Sequence, residues 1–313
     1  MTEFRKDYVL NRWVIISEKR GKRPHEFTQK PDTEKKEFCF FCPGNEDSTP
    51  SEIGRVEKNG KWLIRWFDNK FPAVEHSSHA AFKNDGLFVH GPAFGHHEVI
   101  VEGPWHSKQL SDLDESHIAE VLKVYTNRVR ILSRQRRCKY VSVFKNHGGS
   151  AGTSIKHSHS QVISLNKVPL TIEEKARDSM RGKKCLYCEA IKREMRSNRR
   201  IMATKSAVSF APFASRYNYE AVIFPRRHIS RLEDLDSQEY QDIAAIIKLL
   251  TSRLKRIGVS YNMFVNYAPA GEEMHMHIEL CPRKAIHAGF ELSTGFIINV
   301  VSPEDAAAFY RDA

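Results

Sequence analysis

The sequence of 313 residues predicts an α+β protein in which one structural unit is used twice. Each half contains a C-x2-C pair, then an apolar strand, a histidine, an amphipathic helix and a second strand. The histidine and the start of the second strand are 34 residues apart in one half and 33 in the other, counted from His106 to Tyr140 and from His228 to Tyr261. We therefore expect two tandem repeats, 1–170 and 171–313, each an antiparallel sheet with packed helices, related by a pseudo-twofold axis.

The elements of each unit follow from composition and periodicity. Strands are predicted at residues 96–102 and 140–146 of the first unit, and at 219–225 and 261–266 of the second. In the second unit, Asp236 and Glu239 form a capping-box pattern before a helix that ends at Gly258. Its apolar residues recur at three- and four-residue steps: Ile243, Ile247, Leu250, Leu254 and Ile257. The stripe of the first unit is Val121, Leu122, Tyr125, Val129 and Leu132.

Composition limits the class of protein. The chain is 41% apolar, and no run reaches the roughly 18 apolar residues that a membrane span needs. The charged N-terminal residues lack a signal-peptide core, so we expect a cytoplasmic protein. The net charge of +11 comes from basic residues scattered among 38 acidic ones, without a basic stripe interleaved with aromatic residues. Small phosphorylated ligands explain that charge as well as a nucleic acid does.

The central motif lies at residues 144–161, FKNHGGSAGTSIKHSHSQ. In an extended strand His157, His159 and Gln161 point to one face, while the two intervening serines point to the other. The preceding loop holds Gly148, Gly149 and Gly152 together with Asn146 and Ser154. Because glycines let backbone N–H groups approach phosphate oxygens, this combination indicates phosphoryl or nucleotidyl chemistry.

Cysteine and histidine spacing predicts two metal sites. Tetrahedral zinc takes four nitrogen or sulfur ligands, and each half offers two cysteines and two histidines. The predicted first set is Cys39, Cys42, His106 and His157, and the second is Cys185, Cys188, His228 and His275. Zinc suits these ligands best, with iron as the alternative. Each metal would join an N-terminal arm to a central sheet, which is a structural role.

With His157 on the metal, His159 stays free beside the glycine loop. A neutral imidazole is a good nucleophile toward phosphorus, and the P–N bond that it forms is labile. The amide of Gln161 can donate to a phosphate oxygen, while Ser154 and loop N–H groups hold the neighbouring phosphate. His159, Gln161 and Ser154 are therefore the predicted catalytic residues.

The pattern N-x-G-x-x-x-G-x-S-x-x-H-x-H-x-Q, from Asn146 to Gln161, resembles the galactose-1-phosphate uridylyltransferase family of the histidine-triad superfamily. The resemblance implies that His159 carries the nucleotidyl group, that His157 binds zinc, and that Gln161 marks a transferase. It also implies a homodimer. The substrate-binding residues that it implies are Arg20 and Arg23 for phosphates, Asn69 and Phe71 for the nucleoside, and Phe290, Glu291, Ser293 and Thr294 for the hexose.

We expect ping-pong nucleotidyl transfer from a nucleotide sugar, with UDP-glucose as donor and galactose 1-phosphate as acceptor. Asn69-Lys70-Phe71 departs from the Asn-Asp-Phe that is common in bacterial uridylyltransferases. The second C-x2-C pair and residues 289–299 resemble plant-type ADP-glucose phosphorylases, so adenylyl transfer to phosphate is the alternative.

Two readings without catalysis are also open. A zinc-containing nucleic-acid-binding protein would lose affinity steeply with salt, because counterions are released on binding. A nucleotide sensor would have no use for a free imidazole at His159. In the second unit, His277 matches His159, but it follows no similar glycine loop and Glu279 replaces the glutamine. We expect that half to act as a scaffold.

Overall fold

The computed structural model describes residues 2–19, 38–76 and 82–312. Its first half contains the strands β1 (Thr2–Lys6), β2 (Trp13–Ser17), β3 (Glu52–Lys58), β4 (Lys61–Asp68), β5 (Lys83–Asn84), β6 (Val89–His90) and β7 (His97–Val101), the helix α1 (Glu115–Ser133), and the strands β8 (Tyr140–His147) and β9 (His159–Leu165). The second half contains α2 (Leu170–Ser179), β10 (Met180–Arg181), β11 (Lys184–Cys185), α3 (Leu186–Glu194), β12 (Arg200–Ala203), β13 (Ala207–Phe210), β14 (Ala221–Pro225), α4 (Ser237–Arg256), β15 (Tyr261–Asn266), β16 (His277–Pro282), α5 (Gly289–Thr294), β17 (Ile297–Asn299) and α6 (Pro303–Asp312).

A single sheet runs through both halves. Within the described residues it has ten strands, in the order β3, β4, β7, β9, β8, β15, β16, β14, β13, β12. The two halves meet where β8 and β15 pair antiparallel, with Phe144 opposite Phe264. Each strand of one half therefore has a counterpart at the same distance from the centre in the other half. This arrangement confirms the predicted α+β fold with two repeats and pseudo-twofold symmetry.

The two faces of the first half have different roles. Ile100, Val143 and Val162 pack in the core that also contains the buried side of α1. The opposite face bears Val99 and Val101, which cluster with Phe41, Phe67 and Trp62. Because side chains alternate along a strand, His159 and Gln161 share the face of Val101 and Val99, their partners across β7 and β9. The candidate site thus lies on the face away from α1.

Both predicted helices are present with the expected buried stripes. All five predicted residues of α1 are buried, as are Ile243, Ile247, Leu250 and Leu254 of α4. Asp236 caps α4 by accepting the backbone N–H of Glu239 at 2.8 Å. Ile257 follows the last helical residue and is 39% exposed, so it does not belong to the buried stripe.

A small second sheet joins the two ends of the described chain. Strand β1 pairs with β2, and β2 pairs in parallel with β17 near the C-terminal end. Val14 and Ile16 of β2 are buried against Ala214 of the second half. In the described ranges no helix is both long and apolar enough to cross a membrane.

Candidate active site

His159 opens strand β9 and lines a cavity of about 1020 Å³. Its Nδ1 lies 2.9 Å from the carbonyl oxygen of His157. A carbonyl only accepts hydrogen bonds, so Nδ1 carries the proton and Nε2 carries the lone pair. Burial lowers the pKa of His159, which keeps the imidazole neutral. The ring is therefore in the tautomer that a nucleophile needs.

A buried ion pair supports the strand of His159 from behind. Lys145 Nζ lies 2.6 Å from Glu102 Oε2, and it also donates to Ser158 Oγ at 3.0 Å and to the carbonyl of His159 at 3.1 Å. Tyr125 of α1 donates to Glu102 Oε1 at 2.8 Å. Burial acts to raise the pKa of Glu102, but the Lys145 ammonium and these hydrogen bonds outweigh it and lower the pKa to about 2. The serines of the HSHSQ segment therefore anchor the strand to this pair.

The glycine loop has the backbone geometry that its sequence requires. Gly148 and Gly152 have φ values of +84° and +82°, in the region that favours glycine. A Cβ on Gly148 would lie 2.2 Å from Ser260 Oγ of the second half. Asn262 of the same half donates to Asn146 Oδ1 at 2.8 Å and to the carbonyl of Ala151 at 2.9 Å. The second repeat thus holds the loop in place.

The cavity wall brings several of the predicted residues together. Thr153 belongs to this wall, and its buried Oγ1 makes no hydrogen bond within the described residues. Gly152 and Gln161 do not line the cavity. The predicted site residues that do line it are Cys39, Cys42, His106, Asn146, Gly148, Ser154, His157 and His159.

The first predicted metal set converges at one edge of this cavity. The four donor atoms of Cys39, Cys42, His106 and His157 lie within 4.8 Å of one another. Cys42 Sγ lies 3.4 Å from His106 Nδ1 and 3.6 Å from His157 Nδ1. Bond lengths of about 2.0 Å to nitrogen and 2.3 Å to sulfur give a nitrogen to sulfur distance of about 3.5 Å at a tetrahedral centre. The donors are therefore spaced as a tetrahedral metal site requires.

A backbone carbonyl orients the buried histidine of each set. His157 Nε2 donates to the carbonyl of Gly103 at 2.7 Å, which directs the Nδ1 lone pair at the sulfurs. In the second set His275 Nε2 donates to the carbonyl of Pro225 at 3.0 Å. Cys188 Sγ lies 3.3 Å from His228 Nδ1 and 3.4 Å from His275 Nδ1, and the donors of Cys185, Cys188, His228 and His275 again lie within 4.8 Å of one another. Both sets can hold a metal ion.

Among the described residues, the position in the second repeat that corresponds to His159 is filled by side chains. His277 Nδ1 donates to the carbonyl of His275 at 2.9 Å, as His159 does in the first repeat. However, Lys175 Nζ lies 3.4 Å from His277 Nε2 and pairs with Glu279, which also pairs with Arg216 at 2.7 Å. The remaining cavity is only about 30 Å³. The carboxylate of Glu279 is therefore neutralised, and side chains of the protein itself fill the space beside His277.

The residues predicted to bind the nucleoside and the hexose are not part of the cavity wall. Asn69 Oδ1 accepts the N–H of Phe71, whose side chain is 81% exposed. Arg20 and Arg23 lie outside the described residues. The four residues predicted to contact the hexose belong to the exposed helix α5, and none of them lines the cavity of the same chain: Phe290, Glu291, Ser293 and Thr294.

One buried residue next to Gln161 has no signal in the sequence. His97 Nε2 lies 2.7 Å from Gln161 Oε1, and His97 Nδ1 lies 3.0 Å from the backbone nitrogen of Ala73. The sequence offers only the pair His96-His97 at the start of an apolar strand, which does not distinguish a site residue from a surface one.

Comparison with known proteins agrees with this geometry. Residues 1–169 match the family model described as galactose-1-phosphate uridyl transferase, N-terminal domain, and residues 94–309 match a domain of unknown function (DUF4921). The chain is 34% identical to the ADP-glucose phosphorylase of Arabidopsis thaliana, over 99% of this chain and 92% of that protein. It is 28% identical to the galactose-1-phosphate uridylyltransferase of Thermotoga maritima, over 100% of this chain and 98% of that protein.

Solved structures give the same result. The crystal structure of the A. thaliana ADP-glucose phosphorylase with bound ADP-glucose has a TM-score of 0.84 at 33% identity, covering 100% of this chain and 99% of that one. A uridylyltransferase structure has a TM-score of 0.75 at 26% identity, covering 99% and 97%. The chain therefore belongs to the galactose-1-phosphate uridyl transferase family and is a nucleotidyltransferase.

Proposed function

We propose that this chain transfers a nucleoside monophosphate from a nucleotide sugar to a phosphate acceptor through His159. The observation that supports this proposal most strongly is the tautomer of His159. Its Nε2 carries a lone pair because Nδ1 donates to the carbonyl of His157 at 2.9 Å. Nε2 attacks the α-phosphorus of the donor, and the bond from that phosphorus to the bridging oxygen breaks. The sugar 1-phosphate leaves, and an oxygen of the acceptor phosphate then takes the nucleotidyl group from Nε2.

The roles of the surrounding residues follow from their positions. Ser154 and the backbone N–H groups of the loop at Gly148 hold the donor phosphates, and Asn146 keeps the loop on the second repeat. Gln161 donates its amide hydrogens to the phosphoryl group during its transfer. Asn69 and Phe71 bind the nucleoside. Arg20 and Arg23 contribute positive charge to the phosphates.

ADP-glucose is the proposed donor and inorganic phosphate the proposed acceptor. This reverses the order of the two donors expected from the sequence alone, because the ADP-glucose phosphorylase relative is 34% identical and the T. maritima uridylyltransferase 28%. Transfer of UMP from UDP-glucose to galactose 1-phosphate is the second candidate. It is supported by the T. maritima relative, because the match spans 98% of that protein's length.

Intact-protein mass spectrometry distinguishes the two donors. The purified chain is incubated separately with ADP-glucose and UDP-glucose, and each product is then exposed to phosphate or to galactose 1-phosphate. We expect an added AMP mass that phosphate removes. An added UMP mass that galactose 1-phosphate removes would favour the second candidate, and no adduct with either donor would contradict nucleotidyl transfer from these sugars.

We also propose that both Cys2His2 sets hold zinc. The donor set and the nitrogen to sulfur distances of 3.3–3.6 Å support this proposal. So do the hydrogen bonds that Nε2 of His157 and Nε2 of His275 donate to backbone carbonyls. Zinc at these positions would tie the C-x2-C segments to the central sheet. We retain the division into an N-terminal catalytic repeat, 1–170, and a C-terminal scaffold repeat, 171–313, as part of the same proposal.

A second copy of the chain would supply the hexose contacts. Phe290 and Leu292 of α5 are 44% and 78% exposed, although α5 is predicted to close over the sugar. A homodimer explains this exposure if α5 covers the cavity of the other copy. The test mixes an inactive His159→Ala protein with an inactive Glu291→Ala protein. Subunit exchange should restore activity, because one site of each mixed dimer is then intact. If light scattering shows mixed dimers that remain inactive, the contribution of α5 across the dimer is contradicted.

A further inference from the structure

His97 occupies a buried position between two segments of the proposed site. It lies at the start of β7, on the same face as Val99 and Val101, and diagonally across from Gln161. It is not one of the predicted metal ligands. Its ring touches both the loop after β4 and the side chain of Gln161.

The hydrogen bonds of His97 determine its tautomer. The backbone N–H of Ala73 points at Nδ1 across 3.0 Å, and a backbone N–H only donates, so Nδ1 carries the lone pair. Nε2 therefore carries the proton. Burial lowers the pKa of His97, although the Gln161 hydrogen bond acts to raise it, and the neutral form is favoured.

This tautomer also determines the orientation of Gln161. Nε2–H of His97 donates to an acceptor at 2.7 Å, which must be the carbonyl oxygen Oε1 of the side-chain amide. A flipped amide would place its NH₂ group against another donor. Because Oε1 accepts from His97, the NH₂ group of Gln161 is left for another acceptor, and the Gln161 side chain shares its strand face with His159.

Asn69 extends the same arrangement to the loop. Its Oδ1 accepts the N–H of Phe71 at 2.9 Å, so its Nδ2 is the atom that lies 3.1 Å from His97 Nε2. Two donors facing each other form no hydrogen bond. The amide hydrogens of Asn69 are therefore not used by His97, and they are available to a polar group of the nucleotide.

We propose that His97 is a positioning residue for nucleotidyl transfer, which orients the Gln161 amide toward the phosphoryl group and couples it to residues 69–73. This inference rests on the proposed function. The inference goes beyond the proposed function by giving a role to a buried side chain that touches neither the donor nor the acceptor. The positioning role of His97 requires both nitrogens of its ring, one as acceptor and one as donor.

Two substitutions separate these two functions of the ring. His97→Asn keeps an acceptor near the position of Nδ1 for the Ala73 N–H, but it is too short to reach Gln161. His97→Gln places an amide NH₂ near the position of Nε2, so it can donate to Gln161 but leaves the Ala73 N–H unpaired. We expect His97→Asn to lower kcat about 10–100-fold, as loss of an orienting partner does. We expect His97→Gln to keep kcat within a few-fold of the wild type.

A double-mutant cycle with Gln161→Ala tests whether His97 acts through Gln161. If it does, His97→Asn lowers kcat in the wild-type background and has no further effect on kcat once Gln161 is alanine. Multiplicative losses would overturn the proposal, as would a kcat for His97→Gln as low as that for His97→Asn.

Melting temperatures of all variants control for folding, and a variant with a lowered melting temperature is assayed well below it. Failure of the proposed function gives a different result, because the wild-type chain would then form no nucleotidyl adduct at all. If His97→Asn changes only KM, Gln161 orientation is not its role and the proposal is likewise contradicted.

Discussion

The buried pair of Lys145 and Glu102 gives the sharpest stability prediction. Side-chain exposure is 1% for Lys145 and 0% for Glu102. Substitution of one partner therefore leaves the other charge buried, with neither an ion-pair partner nor water to stabilise it. We predict that Lys145→Met destabilises the protein by several kcal/mol. The strand that bears His159 also loses two anchoring hydrogen bonds, which Lys145 donates to Ser158 Oγ and to the carbonyl of His159.

The magnitude follows from the pKa of Glu102. Its fall from 4.5 to about 2, at about 1.36 kcal/mol for each pKa unit, corresponds to a few kcal/mol. Breaking a buried ion pair by removal of one partner costs about 3–5 kcal/mol, which agrees. Because the pKa is lower in the folded state, this stabilisation is present above the unfolded value of 4.5 and is lost as the pH falls from there toward about 2.

Urea unfolding with constant zinc measures the effect. The loss for Lys145→Met should be about 3 kcal/mol near neutral pH and smaller near about pH 5, because Glu102 without its partner takes up a proton more readily. The double variant Lys145→Met with Glu102→Gln removes both charges and should recover most of the loss. A single-variant loss below about 1 kcal/mol, typical of an exposed pair, would refute the reasoning.

Three further predictions test the metal site, the glycine loop and a helix cap. Cys39→Ser should remove one zinc per chain and lower the melting temperature, whereas Cys138→Ser, outside both ligand sets, should keep the zinc count; an unchanged count in Cys39→Ser would remove the first site. Gly148→Ala should destabilise the fold by more than about 1 kcal/mol because of its positive φ and the contact with Ser260, while Gly149→Ala, whose Cβ meets nothing within 4 Å, should have little effect on stability. Asp236→Ala should cost about 1 kcal/mol in urea unfolding, and Asp114→Ala, at an N-cap without a side-chain hydrogen bond, much less; equal losses would contradict the capping assignment.

The repeat and the metal sets could be predicted from the sequence because their signals are local or duplicated. A C-x2-C pair, a helix stripe and an H-x-H strand are each read within a few residues, and the second copy repeats their order. His106 and His157 are far apart in the chain, but their counterparts His228 and His275 have similar relative positions. The mirrored strand order of the sheet explains why this duplication carries over into space.

The remaining parts of the site depend on contacts that no local pattern encodes. Lys145 and Glu102 are separated by 43 residues and meet only because β9 pairs with both β7 and β8. Lys175 of α2 pairs with Glu279, which is 104 residues away in the chain. The HMHIE segment alone therefore could not show that the space beside His277 is filled. The charge of Glu279 is paired with Lys175 and Arg216, so the feature that supports the proposed scaffold role of this half is the filled space beside His277.

The same limit applies to His97 and to the small sheet. The role of His97 depends on the N–H of Ala73 and on the diagonal neighbour Gln161, and neither is adjacent in sequence. The parallel pairing of β2 with β17 joins segments about 280 residues apart, and their short apolar runs do not identify each other.

The central claim is that His159 carries the nucleotidyl group, and the most direct test locates the adduct. The wild-type chain is incubated with ADP-glucose, quenched under conditions that preserve a P–N bond, digested, and its histidine peptides are analysed by mass spectrometry. We predict AMP on His159, none on His277, and no adduct in His159→Ala, whose zinc content stays that of the wild type. An adduct on another residue, or a His159→Ala protein that keeps more than about a thousandth of the wild-type rate, would contradict it.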